Sequence, residues 1–425
     1  MSRFFYTLIL TLLMPLVWLY LYGLRGRKNP GYREHFTERF GFTKARGDII
    51  LHCASVGEVL ATAPLIKALL NDESHYTLVI STNTPTGREQ INQLFANEIA
   101  TQRVHVTYLP FDLPLSQRRF VRRSQAKLLA IIETELWPNL LHSAKTAGLS
   151  TLVINARLSE KSAQGYARVA PLTHAILNDI DLLACHHQDD GERFVALGLA
   201  PEKLTITGSI KFDISVSEMQ REQALNERQC LGERPIWIAG STHPGEPEIL
   251  IAAHNKVRES FPDAVLIVAP RHPEQFDKVA QLLGELGVTF SRRSQDAYQG
   301  EAVLLADTLG ELTMLYGTAD VAFIGGSLIT RGGHNPLEAC AHGIAVLSGK
   351  HTFNFDHVYP ALIEQGGARF VDEQTLATEL LDLLQDTQTR TQMGQQGLEV
   401  VKQNQGAIAR TVTLIKGTLN SGVAS

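Results

Sequence analysis

The chain has 425 residues, 44% of them hydrophobic and 20% charged, with a formal net charge of -5. At roughly 100–200 residues per domain this length predicts two or three domains, with cores that need no disulfides, and the negative balance argues against general nucleic-acid binding. The four cysteines, Cys53, Cys185, Cys230 and Cys340, lie far apart, which excludes a zinc spacing or a disulfide framework and suits a reducing compartment.

The N-terminus stands apart. Residues 4–23, FFYTLILTLLMPLVWLYLYG, carry no charge, and about 20 such residues can cross about 30 Å of hydrocarbon. A cleaved signal peptide is disfavoured by the length and by the lack of a small-x-small cleavage site. Trp18, Tyr20 and Tyr22 suit an interfacial belt, and Arg25, Arg27, Lys28 and Arg33 follow at once. The positive-inside rule then places residues 24–425 in the cytoplasm, against an inner membrane. Pro15 would kink the segment, which leaves a monotopic anchor open beside a spanning one.

Beyond the anchor, apolar runs alternate with amphipathic stretches. IILHCASV (49–56), YTLVIST (76–82), VHVTYLP (104–110), KLLAIIE (127–133), STLVINA (150–156), DLLACH (181–186) and LTITGS (204–209) read as strands separated mostly by helices. This is the pattern of a parallel sheet covered on both faces. The polar, helical stretch 213–234 interrupts it. A second series follows: PIWIAGST (235–242), AVLIVAPRH (264–272), AVLLADT (302–308), DVAFIGGS (320–327) and AVLSGK (345–350), with a final helical stretch at about 388–418. The expected organisation is an anchor over 1–25, a Rossmann-like domain over 26–212, a connection over 213–234, and a second Rossmann-like domain over 235–425. The last helix would be free to pack back on the first domain. Two doubly wound domains imply a cleft, so the residues that matter are those just after strands.

In SVGEV (55–59), Gly57 would permit a tight turn and Glu58 would open a helix. The helix end favours an ionised carboxylate by roughly 0.3–1 kcal/mol, so Glu58 reads as a helix-terminal acid or as a general base at the cleft rim. In IIETELWPN, Glu133 and Glu135 close a strand at period two and would share a face if the strand continued. Trp137 and Pro138 start the next helix. Lys211 in GSIKFD (208–213) follows a strand and suits a phosphate or carboxylate. In APRHPE (269–274), Pro270 and Arg271 end a strand ahead of a helix N-terminus, a phosphate-clamp arrangement, with His272 structural or a secondary contact.

IGGSLITRGGHNPLEACAHG (324–343) is the most specific segment. Asn335 would cap, Pro336 would take the first helical position, and Glu338 sits at capping-box spacing or binds ribose hydroxyls, with Leu337 between them. The glycines would let a ligand approach free backbone N–H groups. Gly310, Glu311 and Leu312 open a similar turn that could hold a base through backbone groups. There is no phosphate loop of the G-x-x-x-x-G-K-[ST] type and no G-x-G-x-x-G after the first strand, which disfavours kinases and dehydrogenases. His186, His187, Asp189 and Asp190 in HHQDDGERF could ligate a metal, but the acids read better as helix caps. The basic run QRRFVRR (117–123) is a solvated helix face or a contact for phosphorylated lipid.

Taken together, RGRK after the anchor, SVGE, TPTG (84–87), ETELWPN, NARLS (155–159), GSIKFD, PRHPE, GEL and GGHNPLE resemble the Kdo (3-deoxy-D-manno-octulosonic acid) transferases that act on lipid A precursors. The resemblance covers nearly the whole chain. It implies a GT-B fold, CMP-Kdo as donor, the disaccharide lipid IVA as acceptor, and inversion at the anomeric carbon with no metal or other cofactor. It also implies Glu58 as base, Glu133 and Lys211 as groups assisting the transition state, and CMP contacts at Pro270, Arg271, Gly310 to Leu312, and Asn335 to Glu338. A sugar-nucleotide epimerase of the same fold is the alternative, and an inactive membrane-anchored binding protein is another. The membrane segment argues against the first, the ionisable residues after strands against the second.

Overall fold

The computed structural model describes residues 1–295, 298–355 and 358–421. These fall into two compact units, Met1–Asp213 with the C-terminal segment from Gly406, and Ile214–Gln405.

The first unit is built on a seven-stranded parallel sheet: β1 (Ile49–His52), β2 (Leu78–Thr82), β3 (Val104–Tyr108), β4 (Leu128–Ile132), β5 (Ser150–Ala156), β6 (Leu182–Cys185) and β7 (Leu204–Ile206). Their order is β3-β2-β1-β4-β5-β6-β7. Strands β1, β2 and β4 are buried at every position, because helices cover both faces and only contiguous apolar residues can occupy such a slot. The order reverses between β1 and β4, the topological switch point where the loops of an open sheet part and leave a crevice.

Two segments remote from the sheet in sequence complete this unit. Ile415 and Leu419 of helix Ala407–Ser421 join the core on the face of helix Val56–Leu70. The expected single C-terminal helix is two: Thr387–Asn404 belongs to the second unit, and the chain turns at Gly406, φ +85°. At the other end, helix Arg3–Trp18 contains Pro15 and runs on as a π-helical stretch over Leu19–Arg25. The Tyr6 hydroxyl bonds the buried Asp112, and the Asn139 amide donates to the Thr7 hydroxyl at 3.0 Å.

The second unit carries β8 (Ile236–Thr242), β9 (Val265–Pro270), β10 (Phe290–Arg292), β11 (Val303–Leu305), β12 (Val321–Ile324), β13 (Ala345–Ser348) and β14 (Ala368–Phe370). All pair in parallel, in the order β10-β11-β9-β8-β12-β13-β14, with the switch point between β8 and β12. The three-residue β10 and β14 were not expected from the sequence; each is an edge strand too short to show a pattern. The stretch 213–234 carries helix Glu218–Leu231, opened by a capping box between Ser217 and Gln220. Ala224 and Leu231 are buried, and Arg228 donates to the Thr318 carbonyl.

Candidate active site

In the first unit the loops after β1 and β4 bring three acids to one pocket of about 300 Å³, lined by Glu58, Glu133, Thr134, Glu135, Arg157, Ser159 and Ser162. Ser55 caps helix Val56–Leu70, its hydroxyl accepting from the Glu58 N–H at 3.3 Å. The Glu58 carboxylate accepts from the Ala54 N–H at 2.7 Å and the Ser55 hydroxyl at 2.9 Å, which fixes its direction. Burial pushes its carboxyl up to about 7, and Glu133 and Glu135 add to the rise. The expectation that the helix end holds it ionised is thus corrected: burial outweighs the helix end. Gly57 is also not a turn glycine. It lies within the helix, and a Cβ there would meet nothing closer than the Ser55 hydroxyl at 3.8 Å.

β4 stops at Ile132, and Glu133 takes a left-handed backbone, φ +59°. The shared face expected for Glu133 and Glu135 is therefore lost, because the strand does not continue. Glu133 turns to Lys211, Oε1 to Nζ 3.2 Å. Glu135 instead accepts from the Trp137 indole N–H at 3.0 Å, and burial raises its pKa. Lys211 is held in place by β5: buried Asn155, itself left-handed at φ +57°, accepts from the Ile210 N–H at 3.0 Å. Asp213 then accepts from the N–H groups of Gly406 and Ile408, tying the Lys211 loop to the C-terminal helix. Left-handed non-glycine residues at strand ends cost of order 1 kcal/mol each and cluster at functional sites. Sequence reading quoted NARLS but gave Asn155 and Arg157 no role, although they stand at and just after the end of an apolar strand.

In the second unit Pro270, Arg271, Gly310 and Leu312 share a depression with Ser241, Ala269 and Thr308. The Arg271 N–H donates to the Thr242 carbonyl at 3.0 Å, and its side chain is exposed. A 3-10 turn, Pro273–Gln275, separates it from helix Phe276–Glu285, so Arg271 does not adjoin an α-helix N-terminus as expected. Gly310 is left-handed, φ +84°, with open space at its Cα. The Glu311 carboxylate is engaged by Arg293, 3.0 Å, and by the Thr308 hydroxyl, and Glu311 is not among the residues that line the depression.

The NPLE segment departs most from expectation. Its helix is only Leu337–Cys340, with Pro336 as N-cap residue rather than first helical residue, because Gly343 and β13 follow at once. Asn335 accepts from the Leu337 N–H at 3.1 Å, but no capping box forms. Glu338 instead accepts from the Thr313 hydroxyl at 2.7 Å, next to Leu312. Burial raises its pKa, while Arg271 acts to lower it. Leu337 is fully buried, backbone and side chain alike.

The glycine-loop amides are not free either. Glu246, fully buried, accepts from the N–H groups of His243 (3.0 Å), Gly326 (2.8 Å), Ser327 (3.1 Å) and Leu328 (3.2 Å). Of the backbone N–H groups expected to be free for a ligand in the glycine segment, that of Gly326 is thus taken by the chain's own carboxylate and that of Gly325 by the Gly240 carbonyl. Glu246 gave no signal in sequence beyond an acid ahead of Pro247.

Two other motifs resolve locally. Asp190 accepts from the Leu158 N–H at 2.9 Å and pairs with Arg193, so it latches a loop rather than capping its helix. In the basic run, Arg119 and Arg123 donate to the carbonyls of Phe40 and Thr43, so that face is only partly solvated.

Comparison with known proteins shows the family. Residues 34–214 match the family model described as 3-Deoxy-D-manno-octulosonic-acid transferase (kdotransferase). A Haemophilus influenzae 3-deoxy-D-manno-octulosonic acid transferase is 40% identical over 433 residues, covering 100% of both chains. The Bordetella pertussis enzyme of the same name is 34% identical over 435 residues, covering 99% of this chain and 100% of that one. Among solved structures, a putative UDP-N-acetylglucosamine 2-epimerase from Listeria monocytogenes aligns with a TM-score of 0.55 over 89% of this chain and 98% of its own, at 15% identity. That last likeness is one of fold alone. The end-to-end identity decides against the epimerase alternative: the chain belongs to the 3-deoxy-D-manno-octulosonic acid (Kdo) transferase family, glycosyltransferases on a GT-B fold.

Proposed function

We propose that the chain transfers Kdo from CMP-Kdo to lipid IVA, with release of CMP, at the cytoplasmic face of the inner membrane. The observation that carries this reading is the delivery of Glu58 and Glu133 to one pocket by the loops after β1 and β4, the strands flanking the switch point, with Lys211 paired to Glu133. A sugar hydroxyl is a weak nucleophile and needs a positioned base, worth roughly 10²–10⁴-fold. A carboxyl near 7 with fixed direction suits that task. Lys211, oriented by Glu133, would face charge that develops as the glycosidic bond to CMP breaks. Arg271, Pro270 and the backbone of Gly310 to Leu312 would hold CMP, with Asn335 to Glu338 bordering that site and Glu338 available to ribose hydroxyls.

The N-terminal helix supports work on a lipid. Phe4 and Leu12 are 71% exposed, and the helix buries none of its residues. Its first turns are nonetheless bonded to Asp112 and Asn139 of the body, and Arg33, beyond its far end, donates to the Tyr22 carbonyl. A helix held to the same body near both ends fits a monotopic anchor lying in one leaflet better than a spanning one.

Incubating purified full-length protein with labelled CMP-Kdo and lipid IVA tests the reading. Labelled Kdo should appear in the lipid fraction with stoichiometric CMP. Transfer to water alone, or to a different acceptor only, would overturn it.

A further inference from the structure

Three neighbouring strands of the second sheet each deliver a histidine to the same edge. His243 follows β8, His272 follows β9, and His334 lies in the loop after β12; the order β9-β8-β12 sets them side by side across the switch point. The Nε2 atoms of His243 and His334 are 2.9 Å apart, with rings nearly parallel and centroids at 5.1 Å. His272 stands edge-on to His243, centroids 5.6 Å apart.

The cluster is built rather than incidental. Gly326, φ +69°, lies beneath the pair, and a Cβ there would come within 3.1 Å of the His334 ring and 3.3 Å of the His243 ring. Glu246 clamps the backbone N–H groups of both His243 and Gly326. The Gly333 N–H closes the loop onto the Gly326 carbonyl at 2.8 Å.

Its charge is one-sided. The charges acting on His243 are those of His272, Arg331 and Arg271, and those acting on His334 are Arg271, His243 and His272. Together with burial they hold both imidazoles below the usual histidine range, His334 at about 4. The nearest carboxylate bonded to this loop, Glu246, is already engaged by four amides. Near neutral pH those two imidazoles are uncharged N–H donors, and the positive charge beside them is that of the Arg271 and Arg331 guanidiniums, which an anion would balance. The two guanidiniums also disfavour a metal cation among the imidazoles.

We propose that His243, His272 and His334, with Arg331, form a carboxylate subsite that takes the acid group of the donor sugar. This rests on the reading of CMP-Kdo as donor. In a 2-ulosonic acid joined to a nucleotide, the anomeric carbon bears both the carboxylate and the phosphate. Such a donor needs two adjoining anion sites, and Arg271 at the nucleotide depression adjoins His272 of the cluster. A nucleotide hexose without a carboxylate would leave this subsite unfilled, so the cluster would also select the sugar.

The test uses full-length protein in detergent with His243→Gln, His334→Gln and His272→Gln, the last an exposed position that leaves packing intact. Steady-state transfer gives KM for CMP-Kdo, and calorimetry gives the CMP affinity. The expected result is a KM raised at least tenfold in His243→Gln or His334→Gln and several-fold in His272→Gln, with CMP affinity within threefold of wild type. A parallel loss of CMP affinity would assign the cluster to the phosphate and overturn the proposal. Unchanged KM in folded variants would overturn it too, as would tight zinc binding that the substitutions abolish without altering KM. Wild-type protein that binds CMP but transfers no Kdo would overturn the donor reading and this assignment with it; normal wild-type transfer with unaltered variants overturns this assignment alone.

Discussion

Glu58→Gln probes base chemistry and buried charge in one variant. The carboxamide keeps the shape, and its oxygen can still accept from the Ala54 N–H or the Ser55 hydroxyl, but it cannot take a proton. Turnover should fall roughly 10²–10⁴-fold, with CMP affinity little changed. In the wild type, kcat/KM should rise with pH through about 7, where the carboxyl loses its proton. Stability should move the other way. Burial lifts the carboxyl from 4.5 to about 7, so the unfolded chain releases this proton first. Stability therefore declines as pH rises from the unfolded to the folded value, and the deficit persists above it. A rise of that size corresponds to about 3 kcal/mol in full, and water entering the open side of the pocket reduces it to about 1–2 kcal/mol. Urea denaturation at pH 8 should show Glu58→Gln more stable than wild type by that amount, and at pH 4.5 the gap should nearly close. Near-normal turnover would refute the base role. An equal stability gap at both pH values would refute the argument from burial.

Other perturbations separate the remaining roles. Arg271→Ala should weaken CMP binding by about 1.5–3 kcal/mol, the worth of a charge-assisted hydrogen bond; unchanged affinity by calorimetry would remove it from the nucleotide site. Glu246→Ala strips the acceptor from four buried or partly buried amides and should cost about 1–3 kcal/mol for a buried N–H left unsatisfied, read as a lower denaturation midpoint; a loss below about 1 kcal/mol would mean that water replaces the carboxylate. A protein beginning at Gly26 should fold and bind CMP, because none of the buried core residues of either unit lies in the helix, which adds only the partly buried Tyr6 against the first core. Its transfer to acceptor in vesicles should drop further than its transfer to detergent-dispersed acceptor, with a salt-sensitive residue of binding from Arg27, Lys28 and Arg33 of about 1 kcal/mol per charge. Loss of CMP binding in the folded truncated protein would show that the helix is part of the site's support.

The sequence alone determined the two parallel sheets. All the strands of the first sheet and the long strands of the second were legible, because a strand buried on both faces must be a contiguous apolar run and such runs are visible one residue at a time. The same logic marked Glu58, Glu133, Lys211 and Arg271, since an ionisable residue directly after such a run has to emerge at the carboxyl edge of a sheet. What the sequence could not supply was which of these meet. Strand order, a non-local property, puts β1 beside β4 and so Glu58 in one pocket with Glu133. A single left-handed residue at Glu133, which no local pattern announces, sends that acid to Lys211 and Glu135 to Trp137. The NPLE segment read as a capped helix because capping residues are local signals, yet the helix's length was set by β13, which follows after one turn. Glu246 and the three histidines were legible only as scattered polar residues. Their meaning came from packing: a buried carboxylate must find donors and found the glycine-loop amides, and three adjacent strand ends gathered imidazoles from three distant segments onto one edge.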